Sequence, residues 1–281
     1  MKISYSEYKS YMECPKKYKY QRDRVKPAVT PSKYFALYGI TVQKFFELYS
    51  NLYSKGGKVL TETEVKGYLR GIWNKVLQDN YVDWNEPWCK YSSVDLFEQA
   101  YSDVLENLKV FDDVFRHSES EKKIIINLKN SGDSLVSKVD FIYKDDQGKV
   151  TILDGKGTDE IGKNIDADQL YFYALVYLIH YKKMPDQLGI LYWRMRQIVY
   201  YDFTYDTIIK FKNKLALVKN AIKADTKFEA KIGLSKQCKW CDFRYQCEEH
   251  SQKKEANKEK RGKKSALPDY NGELQSVGFK K

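Results

Sequence analysis

Two aspartates and a lysine define the chemistry this sequence offers. The segment 150–156 reads Val-Thr-Ile-Leu-Asp-Gly-Lys. In a strand, side chains alternate faces, so Val150, Ile152, Asp154 and Lys156 share one. An apolar face ending in an acid and a lysine two residues apart is unusual. Upstream, Asp140 stands among Val136, Lys138 and Ile142 on one face of a second strand-like run. Antiparallel pairing across the turn Asp145–Gly148 brings Asp140 beside Asp154. Two adjacent carboxylates repel unless a cation stands between them, and hard oxygen ligands suit Mg²⁺ or Mn²⁺. The chemistry that fits is phosphodiester hydrolysis. The ion polarises the phosphoryl group and lowers the pKa of a water, and the lysine stabilises developing charge. Spacing alone also fits an exposed Asp and Lys in a loop. Gln169 and Tyr173, four apart, lie on one face of a helix and can hydrogen-bond to substrate or to the lysine. The plainer reading puts Tyr173 in the core and Gln169 on the surface.

A second constellation is made of cysteines. Cys238, Cys241 and Cys247 form C-x₂-C-x₅-C, and the chain has five cysteines in all. An odd count argues against a disulfide framework. Three thiolates this close are a metal signal and need a fourth ligand, for which Cys14 is the best candidate. It would tie the start of the chain to its end. One distant cysteine plus three local ones fits an iron–sulfur cluster at least as well as zinc, which more often uses two local pairs. Cys89 reads as a packed free thiol.

The elements that must position these groups follow from periodicity. Ser4 and Glu7 have capping-box spacing and open a helix into Tyr5–Cys14, and Pro15 starts the next turn. Phe35–Leu52 carries an apolar helical stripe, Thr61 and Glu64 cap a helix through Leu77, and Val94–Phe115 repeats the helical spacing. Then Lys123–Leu128, Leu135–Tyr143 and Val150–Asp154 alternate as strands of an antiparallel meander. Ala167–Tyr181 is helical, Gly189–Met195 and Gln197–Phe203 are strands, and Asp206–Ala224 is a helix. This order predicts an α/β fold with a mixed sheet flanked by helices. We divide the chain into a helical region 1–120, a catalytic core 121–225, a cysteine segment 226–250 and a basic, flexible tail 251–281.

The chain has 281 residues, 42% hydrophobic and 31% charged, with a net charge of +11. The tail holds nine Lys/Arg against four Asp/Glu, so the body is basic too. Basic surface suits a polyanion partner, although lysine-rich proteins are often merely soluble. There is no apolar run of membrane-spanning length and no signal-peptide pattern near Met1, so a cytoplasmic protein is expected, bacterial or phage-encoded.

Taken in order, Ser4-x-Ser6…Cys14-Pro15-x-x-Tyr18, Asp140…Asp154-Gly155-Lys156, Gln169-Leu170-x-x-Tyr173-Ala174 and Cys238-x₂-Cys241-x₅-Cys247 resemble the RecB-type nucleases of the PD-(D/E)XK superfamily. The likeness is to their iron–sulfur branch, which includes the CRISPR-associated adaptation exonucleases and the AddB nuclease domain, and it spans Ser4 to Cys247. It implies a restriction-endonuclease-like fold with an iron–sulfur C-terminal segment. Asp140 and Asp154 would ligate Mg²⁺ or Mn²⁺, Lys156 would be the catalytic lysine, and Gln169 and Tyr173 would support the site. Cys14, Cys238, Cys241 and Cys247 would hold a 4Fe–4S cluster. The implied activity is that of a DNA exonuclease on ends or single strands, in repair, recombination or CRISPR adaptation, beside a helicase or adaptation partner. Two positions depart from the pattern. In Gly39-x₃-Gln43-x₃-Glu47, glutamine replaces the usual metal-binding histidine; its carbonyl can still ligate, more weakly. Ser137 stands where glycine is common. The Gln43 departure keeps a second reading open, a DNA-binding or complex-forming module of the same fold with a weakened site.

Overall fold

The computed structural model describes residues 1–28, 34–85, 89–128, 131–158, 160–162, 166–232, 238 and 241–252. Six strands form one mixed sheet. They are β1 (Lys2–Ile3), β2 (Ser118–Leu128), β3 (Asp133–Lys144), β4 (Val150–Lys156), β5 (Gln187–Tyr192) and β6 (Gln197–Tyr201). β2, β3 and β4 run antiparallel in sequence, as the turn residues between them require. Helix α6 (Ala167–Tyr181) then carries the chain across to β5, which is parallel to β4. Tiny β1 pairs in parallel with Ser134 and Leu135 of β3. The basic tail beyond residue 252 lies outside the described residues.

The helices divide between the two faces. α1 (Tyr5–Glu13), α2 (Pro15–Arg22), α6 and α7 (Tyr205–Ala224) share a core with Val139, Ile142, Ile152 and Ile190. α3 (Tyr34–Gly56), α4 (Glu62–Asp79) and α5 (Ser93–Arg116) share the other with Phe141, Leu153, Leu191 and Trp193. The predicted capping boxes at Ser4 and Thr61 are present, and Ser92 makes a third at α5. Each satisfies backbone donors that a helix start leaves unpaired, worth about 1 kcal/mol. Pro15 opens α2, where its missing N–H costs nothing. Among the described residues no helix is long and apolar enough to cross a membrane.

Three expectations need correction. The stretch 1–120 holds β1 and the first residues of β2 besides its helices. Strands β2 to β4 all run further than predicted, because ladder hydrogen bonds extend through polar ends such as Ser118–Glu119. And β3 does not keep one face throughout. Val139 and Ile142 enter the same core while Phe141 enters the other, so alternation breaks at Asp140. The neighbouring strand is distorted at that same level: Glu121, opposite Asp140 in the register, has φ +52°. A local twist of this kind re-aims side chains.

Candidate active site

The ladder between β3 and β4 ends at Phe141↔Leu153. One step further stand Asp140 and Asp154, where the two strands part and β4 continues beside β5 alone. The Asp140 carboxylate spans the fork by accepting the Gly155 backbone N–H at 3.0 Å. The sequence expectation that these two acids meet is thus met by the structure. Both are buried, Asp140 at 9% exposure and Asp154 at 2%. Burial, and next the charge of Asp154, push the Asp140 carboxyl up to about 7. Burial raises Asp154 as well, against the pull of Lys156.

Lys156 reaches back to Asp154 at 2.6 Å. Burial pulls its pKa down, but Asp154, Asp140 and Asp166 together more than offset this, so the ammonium is retained. Tyr173, on α6, is raised well above the usual phenol range by burial and then by Asp140 and Asp154, so it keeps its proton. Gln169 donates to its hydroxyl at 2.9 Å. On α6 the amide thus holds the phenol, and the phenol faces the two acids.

Glycine is required in the middle of this motif. A methyl on Gly155 would overlap Cζ2 and Cη2 of Trp193 and stand 3.1 Å from its Cε2. The indole is 1% exposed and stacks on Phe46 of α3. Gly157 is less confined: a methyl there would stand 3.2 Å from Cε1 of Tyr38. The end of β4 is thus clamped by the α3–α5 face.

The remaining predicted ligand, Gln43, lies on α3 and donates its side-chain N–H to Glu121 at 2.9 Å. Glu121 also pairs with Lys138. Sequence reading gives Glu121 no role. It missed Trp193, and it missed Asp166, whose charge is felt at both Asp154 and Lys156. The only signal for Asp166 is an acid just before a helix start.

The donor set fits a hard divalent ion. Asp154 Oδ1 is buried with no hydrogen-bond partner among the described residues, an expense that a cation ligand would offset. Among the described residues no three His, Cys, Asp or Glu side chains gather around a single-ion position, either at these acids or at the cysteines.

The cysteines lie elsewhere. Cys14, Cys238, Cys241 and Cys247 line one pocket between the α1–α2 corner and the C-terminal segment. Burial raises the thiols of Cys241 and Cys247. The pocket is braced by Lys16–Glu249 at 2.6 Å and by Tyr20 donating to the Gln246 carbonyl. Cys89 is apart, its sulfur 3.2 Å from the Asp83 carbonyl.

The sheet thus brings two buried acids and a lysine together at a strand fork. Residues 2–248 match the family model of the PD-(D/E)XK nuclease superfamily. The chain belongs to that superfamily and is a nuclease. Among solved structures it is similar to the crystal structure of SSO0001, at 12% identity, covering 89% of this chain and 86% of that one, with a TM-score of 0.37. It is also similar to a protein of Eubacterium rectale named as a candidate exonuclease, at 11% identity, covering 84% and 86%, with a TM-score of 0.46. No curated protein matches the chain.

Proposed function

We propose that this nuclease is a Mg²⁺- or Mn²⁺-dependent DNA exonuclease working on ends or single strands. The observation that carries the reading is the fork itself. Two buried acids face each other, one has an unpartnered oxygen, and a protonated lysine lies beside them. Asp140 and Asp154 would hold the ion, with the Gln43 carbonyl as a weaker third ligand. A divalent ion bound there supplies Lewis acidity to a phosphoryl oxygen and to the attacking water. Lys156 brings a positive charge to the phosphate oxygens and steadies the negative charge that grows on them. Tyr173, held by Gln169, keeps a donor beside Asp140 and fixes that carboxylate's orientation. Preference for ends and single strands rests on the motif resemblance.

The test is cleavage of end-labelled linear single- and double-stranded DNA with Mg²⁺ and then Mn²⁺, beside Lys156→Ala. Progressive shortening by the wild type alone supports the reading. Equal cleavage by Lys156→Ala refutes the lysine's role. Gln43 in place of histidine favours the second reading, a module that binds DNA or a partner protein without turnover. Tight binding with no cleavage across a titration of both ions would establish it.

A 4Fe–4S cluster held by Cys14, Cys238, Cys241 and Cys247 rests on the motif resemblance; the four residues line one pocket, and a bound cluster would draw their sulfurs together. A brown anaerobic preparation with iron bound agrees with it, whereas a colourless one with stoichiometric zinc replaces it with a zinc site. The motif resemblance makes a recombination helicase or a CRISPR-adaptation protein the partner to test.

A further inference from the structure

Glu121 occupies an unusual position. It lies inside β2 yet has φ +52°, a left-handed conformation that residues with a side chain rarely adopt. Its neighbours Ser120 and Lys122 pair with Phe141 and Val139, which sets it opposite Asp140. Its side chain is 10% exposed. Both carboxylate oxygens are engaged: Oε1 accepts the Gln43 Nε2–H at 2.9 Å, and Oε2 pairs with Lys138. A residue held in an uncommon backbone state beside an active site, with its charge fully committed, calls for a functional account.

A side-chain amide has two unlike ends, an oxygen that ligates cations and an NH₂ that repels them. Nothing in glutamine chooses between them. A carboxylate only accepts hydrogen bonds, so it selects the NH₂ end. Gln43 Oε1 is thereby left over, and it takes no hydrogen bond among the described residues. Lys138 neutralises Glu121, so a third negative charge is not added next to Asp140 and Asp154.

We propose that Glu121 is a positioning residue: by gripping the NH₂ of Gln43 it turns the amide oxygen toward the ion held by Asp140 and Asp154. The inference rests on the metal site proposed above. Glutamine can then do part of the work of an imidazole because a partner 78 residues away fixes which end it presents. A groove on α4 and the exposed tyrosines offer no comparable convergence of independent contacts.

The test measures Mn²⁺ binding directly, by titration calorimetry on the full chain purified anaerobically, without DNA. Glu121→Gly removes the carboxylate and relieves the left-handed backbone. It should bind Mn²⁺ about tenfold more weakly, the usual effect of removing a group that orients a ligand, with no loss of melting temperature. Gln43→Ala should show a similar loss. The double variant Gln43→Ala/Glu121→Gly should lose no more than either alone, because the two act as one unit. Wild-type affinity in Glu121→Gly, or losses that multiply in the double variant, overturns the proposal. Asp154→Asn separates the two levels. If it binds Mn²⁺ as tightly as wild type, or the wild type binds none, the metal site itself is refuted and this inference falls with it. If only Asp154→Asn loses binding, the site stands and Glu121 has no part in it.

Discussion

Replacing Gly155 by alanine tests whether the catalytic strand is held by packing. Asp154 and Lys156 flank this residue, and Trp193 fills the space where its side chain would stand. The added methyl would overlap two indole carbons and stand 3.1 Å from a third. Carbon atoms settle at about 3.5–4.0 Å, so β4 or the ring must shift by roughly 1.5 Å. The ring has nowhere to go. It is stacked 5.3 Å from Phe46, centroid to centroid, and meets Phe141 edge-on at 6.0 Å. Overpacking of this kind costs about 1–3 kcal/mol, or roughly 2–6 °C in melting temperature for a chain this long. If β4 yields instead, the acid and the lysine move together, and a 1 Å displacement costs about 100-fold in rate. Thermal melts in chelator and rates on end-labelled DNA read the two effects. A Gly155→Ala protein that melts and cuts like the wild type would refute the clamp.

Two further perturbations address the charges and the cysteines. Asp140 has a raised pKa, so its favourable share of folding is complete below about pH 4 and is lost as pH rises through about 7. Asp140→Asn should therefore stabilise the chelated protein at pH 8, by up to about 4 kcal/mol, and leave it unchanged near pH 4, while abolishing cleavage. Denaturant unfolding at both pH values checks this, and a gain that does not vary with pH contradicts it. With the proposed cluster in place, Cys14→Ser should lose most of the iron and visible absorbance and melt earlier, since it would remove the cluster's tie from α1 to the C-terminal segment. Wild-type iron content in that variant would exclude Cys14 as a ligand.

Much of the architecture was legible because its signals are local. The α6 helix was read to its boundaries from spacing alone, and the Ser4 and Thr61 caps announce themselves three residues ahead. The meeting of Asp140 and Asp154 was legible too, since a short turn between two alternating runs fixes their register. Distant partners were not. β1 is two residues long, too short to alternate, and exists only because β3 offers it an edge. The face switch at Asp140 depends on the backbone of Glu121 in another strand, so the pattern Val136, Lys138, Asp140, Ile142 looked continuous and is not. Trp193 resembles any buried aromatic until its neighbour is known to be Gly155. Gln43 gave away its departure from the histidine pattern, but not the acid that accompanies it.

The sheet that carries the acids is a party wall. On one side it belongs to α1, α2, α6 and α7, on the other to α3, α4 and α5, and neighbouring residues of β4 such as Ile152 and Leu153 serve different tenants. Each helical layer can change its outer surface, lengthen or exchange partners without renegotiating with the other. A nuclease built this way can adapt one flank to the company it keeps while the opposite flank goes on holding the chemistry. The few positions on the wall itself have no such freedom. There, drift on either side reaches the scissile bond.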